Sequence, residues 1–309
     1  MTQLTTPIPE KPGRIASWLQ NPMAVKELRS RMRGRRAYVV LTTYLLSMSG
    51  FISLIYLAYA SSANQPFGPD PGLAGKAIFA AVLSIQAFLV VFIGPAFTVG
   101  SVTGEKERQT YDLLRTTLLS PSDFVRGKLI SALSYIFLLI LAAVPLQSIA
   151  FLLGGVSPIE IVIAELLILV SAVAFAMIGL YFSSAMRSTL AASVATFGGA
   201  MMLSFGIPAG VILFGTILGS MLFTTSNWLI EIGLVYSGLA LASFNLPATL
   251  IISDIFLVEE DALFLFKETI SGHTVYLPSP WPFYILLYTR LALLAYWASV
   301  RRVNRIAER

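Results

Sequence analysis

A chain of 309 residues that is 56% hydrophobic and only 12% charged, with mean hydropathy +0.79, is far too apolar for a water-soluble globular domain. The absence of cysteine excludes disulfides, thiolate metal sites and cysteine nucleophiles, and a single histidine, His273, leaves no imidazole set for a metal centre. The net charge of +5 sits mainly in basic flanks of apolar runs, which fits a polytopic membrane protein and argues against nucleic-acid binding.

Residues 1–20 are polar and proline-containing, with no apolar core of a cleavable signal, and read as a cytoplasmic tail. At Asn21-Pro22 an N-cap and a first-position proline open a helix with an apolar stripe of Val25, Leu28 and Met32. Lys26, Arg29, Arg33 and Arg36 lie opposite that stripe, so the segment reads as an interfacial helix on the anionic inner leaflet. Span one covers 37–60, uncharged and longer than the ~20 residues a crossing needs. A proline-rich loop leads to span two at 77–99, which Gly94-Pro95 should kink near its inner end.

A strongly charged segment, 104–128, separates spans two and three. With 105–116 helical, Tyr111, Leu114 and Leu118 share one face while Glu105, Arg108, Asp112 and Arg115 take the others. Ser120-Pro121 then caps a second helix that runs on into the next apolar run, so the loop should be a structured helical hairpin.

Span three is 129–153, span four 159–183 and span five 189–219, the last with a break at Pro208 and Gly210 and a small-residue stripe of Ala191, Ala195 and Gly199. Residues 220–280 form an outer region. Within it, 228–258 is apolar but carries Glu231 and Asp254 and is interrupted at Asn245-Leu246-Pro247. Charge settles its reading. With six spans, eighteen of the twenty-one Lys and Arg fall on the N-terminal side of the membrane, and counting 228–258 as a crossing would move the four C-terminal arginines across, against the positive-inside rule. The segment is therefore expected to be a helix pair, re-entrant or interfacial, followed by an acidic loop that turns at Gly272-His273. Span six, 281–300, is anchored by Trp281 and Tyr284 at one end and Tyr296 and Trp297 at the other. Arg290 near its middle costs about 2.5–3.5 kcal/mol to insert, so it should be partnered or face water. Glu165 and Gln86 are the candidate partners, as a polar pair on a transport path or as a packing bridge.

No G-x-x-x-x-G-K-[ST], H-E-x-x-H or G-x-S-x-G pattern occurs, so neither a P-loop nor the commonest hydrolase sites are encoded, and no catalytic residue is assigned. No two-fold repeat of broken spans marks a secondary transporter. The pattern Glu105-x-Glu107-x-x-Thr110, then Leu114, Thr116-Thr117, Ser120 and Gly127-Lys128, resembles the membrane subunits of type-2 ATP-binding-cassette exporters. One departure is Leu118, where that family usually has proline, this chain's proline coming at Pro121. The resemblance covers nearly the whole chain and implies a coupling helix bearing Glu105, Glu107, Arg108, Thr110, Tyr111, Leu114 and Thr117 that docks on a separate ATPase subunit. It further implies ATP and Mg on that subunit with no cofactor on this chain, a second permease subunit, and export as the direction. The expectation is an all-α permease over 21–309, multi-pass in the plasma (inner) membrane with both termini cytoplasmic. An ion-coupled transporter and a non-transporting assembly subunit are the alternatives.

Overall fold

The computed structural model of the protein describes residues 35–63, 70–110, 120–222, 228–259, 262–270 and 272–307. The tail, the outer residues Glu260 and Asp261, and Lys26, Arg29 and Arg33 of the expected interfacial helix lie outside the described residues, while Arg36 falls in the first turn of the first helix.

Among the described residues six helices are long and apolar enough to cross a membrane. They are α1 (Arg35–Ala63), α2 (Pro71–Thr98), α4 (Pro121–Leu152), α5 (Pro158–Ala185), the pair α6 (Thr189–Met201) and α7 (Ile207–Leu222), and α10 (Pro280–Ala307); the short α3 (Thr103–Glu107) follows α2. Three crossings start by one device. Asp70, Ser120 and Ser157 hold extended backbone and the next residue is a proline at the first helical position, where its missing N–H costs nothing. At Ser157 the cap is reciprocal: Ser157 Oγ accepts from Glu160 N at 3.3 Å and Glu160 Oε1 accepts from Ser157 N at 2.9 Å. These caps lie outside the apolar runs, so α2 starts six residues before the expected 77.

The fourth crossing, α5, is the centre of the bundle and packs against α10, α2, α4 and α6. It can do so because its inward side is built from small residues, with Ala164, Ala172, Ala174, Ala176 and Gly179 buried beside Leu167, Ile168 and Phe175. In lipid there is no hydrophobic drive between helices, so close backbone approach and dispersion contacts carry the association. Outward-facing leucines and phenylalanines such as Leu46, Leu54, Phe88, Leu141 and Leu293 remain exposed, as expected where the solvent is hydrocarbon. Gly94 and Pro95 lie within α2, buried against α5.

The fifth crossing does not break at Pro208 and Gly210 as expected. Its irregularity comes one turn earlier, as a π-helical turn at Met202–Gly206 between α6 and α7. Its packing face is also one residue out of step with the expected stripe: Ala192, Thr196 and Ala200 are buried, while Ala191 is exposed beside Leu190 and Val194.

The segment after it forms two helices, α8 (Trp228–Ala242) and α9 (Leu246–Glu259). At about 1.5 Å per residue neither reaches across a ~30 Å hydrocarbon layer. The break between them is held on three sides. Asn245 Oδ1 accepts from Ala248 N at 2.9 Å, capping α9, and Asn245 Nδ2 donates to Ser204 O at 2.7 Å, satisfying a carbonyl of the π turn. Tyr288 OH of α10 donates to Phe244 O at 2.9 Å.

The following acidic loop is not a simple loop. It contains a β-hairpin, β1 (Leu265–Ile270) paired antiparallel with β2 (His273–Pro278) in the register Leu265↔Pro278 to Ile270↔His273. Its two-residue connection includes Gly272 at φ +79°, a left-handed conformation that favours glycine. His273 stacks on Trp228 with ring centroids 4.2 Å apart, and Trp281 Nε1 donates to Leu263 O at 2.8 Å, fastening the hairpin to α8 and α10.

Candidate functional site: the base of the charged hairpin

The apolar run of the second crossing ends at Thr98, and the next turns lead into α3, whose five residues Thr-Gly-Glu-Lys-Glu start the charged hairpin. The following contacts join this short helix to three other crossings. Val102 N and Thr103 N both donate to Ser183 Oγ, at 2.9 and 3.1 Å, satisfying helix-start donors with a hydroxyl from the end of α5. Lys106 Nζ donates to Ser184 O at 3.0 Å and Met186 O at 3.3 Å, the orphan carbonyls at the C-terminus of α5, where a cation is favoured. Its burial, together with nearby Arg302, pushes the Lys106 ammonium below its usual value.

The acidic pair divides its work. Glu105 Oε1 accepts from Lys128 Nζ at 3.1 Å; that lysine belongs to the second turn of α4 and its side chain is only 4% exposed. Glu105 Oε2 takes the hydroxyl of Thr110. Glu107 instead reaches the start of α6, where Oε1 accepts from Thr189 N at 2.6 Å and Oε2 from Thr189 Oγ1 at 2.9 Å. A carboxylate at a helix N-terminus is well placed. The backbone bond from Thr189 first, and its hydroxyl bond second, hold the Glu107 carboxyl below the usual carboxylate range. Thr189 Oγ1 also donates to Thr103 Oγ1 at 3.0 Å, closing the set. The third, fourth and fifth crossings thus all meet on one five-residue helix.

That helix is shorter than expected. A continuous helix over 105–116 does not form, because Gln109 takes φ +56° and reverses the chain. Gln109 N donates to Lys106 O and Thr110 N to Glu105 O, the paired bonds of a Schellman stop. Glu105, Glu107 and Thr110 are brought together at this base, and Arg108 is exposed at its edge. Tyr111, Leu114 and Thr117 lie outside the described residues. The returning helix is capped by Ser120 Oγ, which accepts from Asp123 N at 3.2 Å, and Arg126 Nε donates to Tyr296 OH of α10 at 2.9 Å. Lys106, Ser183 and Thr189 carry no mark in the sequence; Lys128 stands in the motif, but its partner is 23 residues away, beyond any helical spacing rule.

Inside the bundle, Gln86 and Glu165 do meet. Gln86 Nε2 donates to Glu165 Oε1 at 2.9 Å, and a third residue, Gln147, donates from Nε2 to Gln86 Oε1 at 3.0 Å and to Glu165 Oε1 at 2.5 Å. The knot ties α2, α4 and α5 together. Arg290 takes no part in it. Tyr284, Tyr288 and Ala292 occupy the inward side of α10, with Tyr284 OH sharing a 2.6 Å hydrogen bond with Ser171 Oγ. Arg290, two residues on from Tyr288, is on the exposed side with no ion pair among the described residues.

The described residues thus form a multi-pass helical body with a polar hairpin bonded at its base to three crossings. The chain belongs to the ABC-2 transporter family: the profile described as ABC-2 family transporter protein matches residues 22–244. It is a membrane component of an ABC transporter, not itself a catalytic chain. No curated protein matches it.

Proposed function

We propose that this chain is one permease half of an ABC exporter, driven by ATP hydrolysis with Mg on a separate ATPase subunit that grips the hairpin between the second and third crossings. One observation carries the reading. The base of that hairpin is hydrogen-bonded at once to α4 through Lys128, to α5 through Ser183, Ser184 and Met186, and to α6 through Thr189. A push on the tip is therefore passed to three crossings together, which a rocking change of access requires. Closure of the ATPases would favour one arrangement of the bundle over the other through these bonds.

The positive-inside rule supports a cytoplasmic hairpin and cytoplasmic termini, in the inner membrane of the cell. A second permease half would meet this one along α1 and α6, whose outward sides carry the exposed Leu46, Leu54, Leu190 and Val194. Single cysteines at Ser122 and Thr274 test the arrangement. A membrane-impermeant maleimide applied to intact cells is expected to label Thr274→Cys only, with Ser122→Cys reacting after lysis. Labelling of Ser122→Cys from outside would remove the hairpin from the compartment that holds ATP and end this reading.

A further inference from the structure

At the end of the bundle away from the charged hairpin, α2, α5 and α9 enclose a cavity of about 200 Å³. Its wall is mostly apolar, with Phe79, Leu83 and Leu167 deep and Leu250 toward α9. Ala80, Ser84 and Ile251 line it too and are exposed, so the cavity opens sideways into the surrounding bilayer.

Three polar side chains in that wall have unused bonding capacity. Glu160 is 7% exposed; its Oε1 serves the Ser157 cap, but its Oε2 is buried without a hydrogen-bond partner. Ser253, 2% exposed, has its Oγ in the same condition. Lys76, partly exposed in the second turn of α2, forms no ion pair among the described residues. A buried oxygen with neither protein nor solvent partner is destabilising, and a bound molecule that supplies the missing bond is one way to satisfy it. Here two carboxylates, Glu160 and Asp254, and one ammonium, Lys76, line one cleft, Glu160 and Lys76 without pairing with each other, beside an apolar slot that opens to lipid.

We propose that this cleft is a binding site for a zwitterionic phospholipid with a primary amine in its headgroup. The lipid ammonium donates to Glu160 Oε2, the phosphate lies against Lys76, and an acyl chain fills the slot between α2 and α9. The chemistry is that of interfacial polar residues over an apolar groove, with charges of both signs matched by one ligand. A purely anionic lipid leaves Glu160 opposed to like charge. The site is separate from the hairpin, and the whole α9 wall lies beyond residue 244, where the family match ends.

The test is lipid retention by the full chain. Purified protein is reconstituted in discs of equal phosphatidylethanolamine and phosphatidylglycerol, re-extracted in mild detergent, and its bound lipids counted by native mass spectrometry. One phosphatidylethanolamine per chain is expected, preferred over phosphatidylglycerol by about tenfold or more. Glu160→Gln keeps an oxygen for the Ser157 cap but loses the charge, and Lys76→Gln removes the phosphate partner; each should abolish the headgroup preference. Ala80→Trp, which plugs the opening, should abolish retention, with thermal melting in lipid-free detergent confirming that it is folded. Retention without headgroup preference in the unaltered chain, or a preference unchanged in Glu160→Gln and Lys76→Gln, overturns the proposal even if Ala80→Trp fails to fold.

Discussion

Glu105→Ala should destabilise the protein by roughly 2–4 kcal/mol, because it strips the carboxylate from a lysine that is almost wholly buried. Lys128 Nζ lies 3.1 Å from Glu105 Oε1 at the junction of α3 and α4, and the nearest aromatic, Phe124, is 5.7 Å from it to the ring centroid. Taking one member from a buried ion pair costs more than the pair is worth, since the other charge stays desolvated. The estimate stays under the full figure for a buried pair because Glu105 is itself a quarter exposed. Thermal melting in detergent measures the loss. Lys128→Met in the same chain should recover part of it by removing the stranded ammonium, and a double variant no more stable than Glu105→Ala alone would show that the charge is not what matters. Glu107→Ala, whose carboxylate bonds Thr189 at an exposed site, should cost far less.

Gly179→Ala should also be damaging, at about 1–3 kcal/mol from overpacking. A Cβ there would overlap Thr98 Oγ1 and stand 3.1 Å from Pro95 O and 3.2 Å from Pro95 Cα, so α5 must move away from α2. This crossing lies within two turns of α3, so the displacement also pulls Ser183 from Val102 and Thr103. Transport should therefore fall further than the melting temperature suggests. Adding Thr98→Ala relieves the overlap with the hydroxyl but leaves the Pro95 carbonyl, so rescue should be partial. Full stability in Gly179→Ala alone would mean that the two helices do not approach as closely as described.

Much of this architecture was legible because membrane-helix starts are local. Ser120-Pro121 announces its helix with an N-cap residue followed by proline; Asp70-Pro71 and Ser157-Pro158 carry the same mark, but inside stretches that the apolar runs alone leave as loop and turn. What depends on distant partners was not legible. Gln109 ends α3 in a left-handed conformation without being glycine or asparagine, so the stop carries none of the usual C-cap residues, and the buried partner of Glu105, Lys128, is 23 residues away. The π turn at Met202–Gly206 is marked in sequence by Pro208, whose missing N–H leaves Ser204 O without its helical donor, but the amide that satisfies that carbonyl, Asn245, is 41 residues away. Gln86 and Glu165 were singled out as intramembrane polar residues, but their common partner is Gln147, because the inward side of α10 is taken by Tyr284 and Tyr288 and Arg290 faces the other way. The β-hairpin could have been found. The strand formers Thr274, Val275 and Tyr276 directly after the two residues Ser271-Gly272 are a hairpin signal that reading the region as a polar loop hides.

The most direct measurement of the central claim is photo-crosslinking in living cells from a light-activated amino acid placed at Leu114, on the proposed docking face of the hairpin. The account predicts a covalent adduct whose second component is an ATP-binding-cassette ATPase, with no such adduct from the same probe at Thr274. An unmodified chain at Leu114 under conditions that support transport, or capture of the ATPase from Thr274, would contradict it.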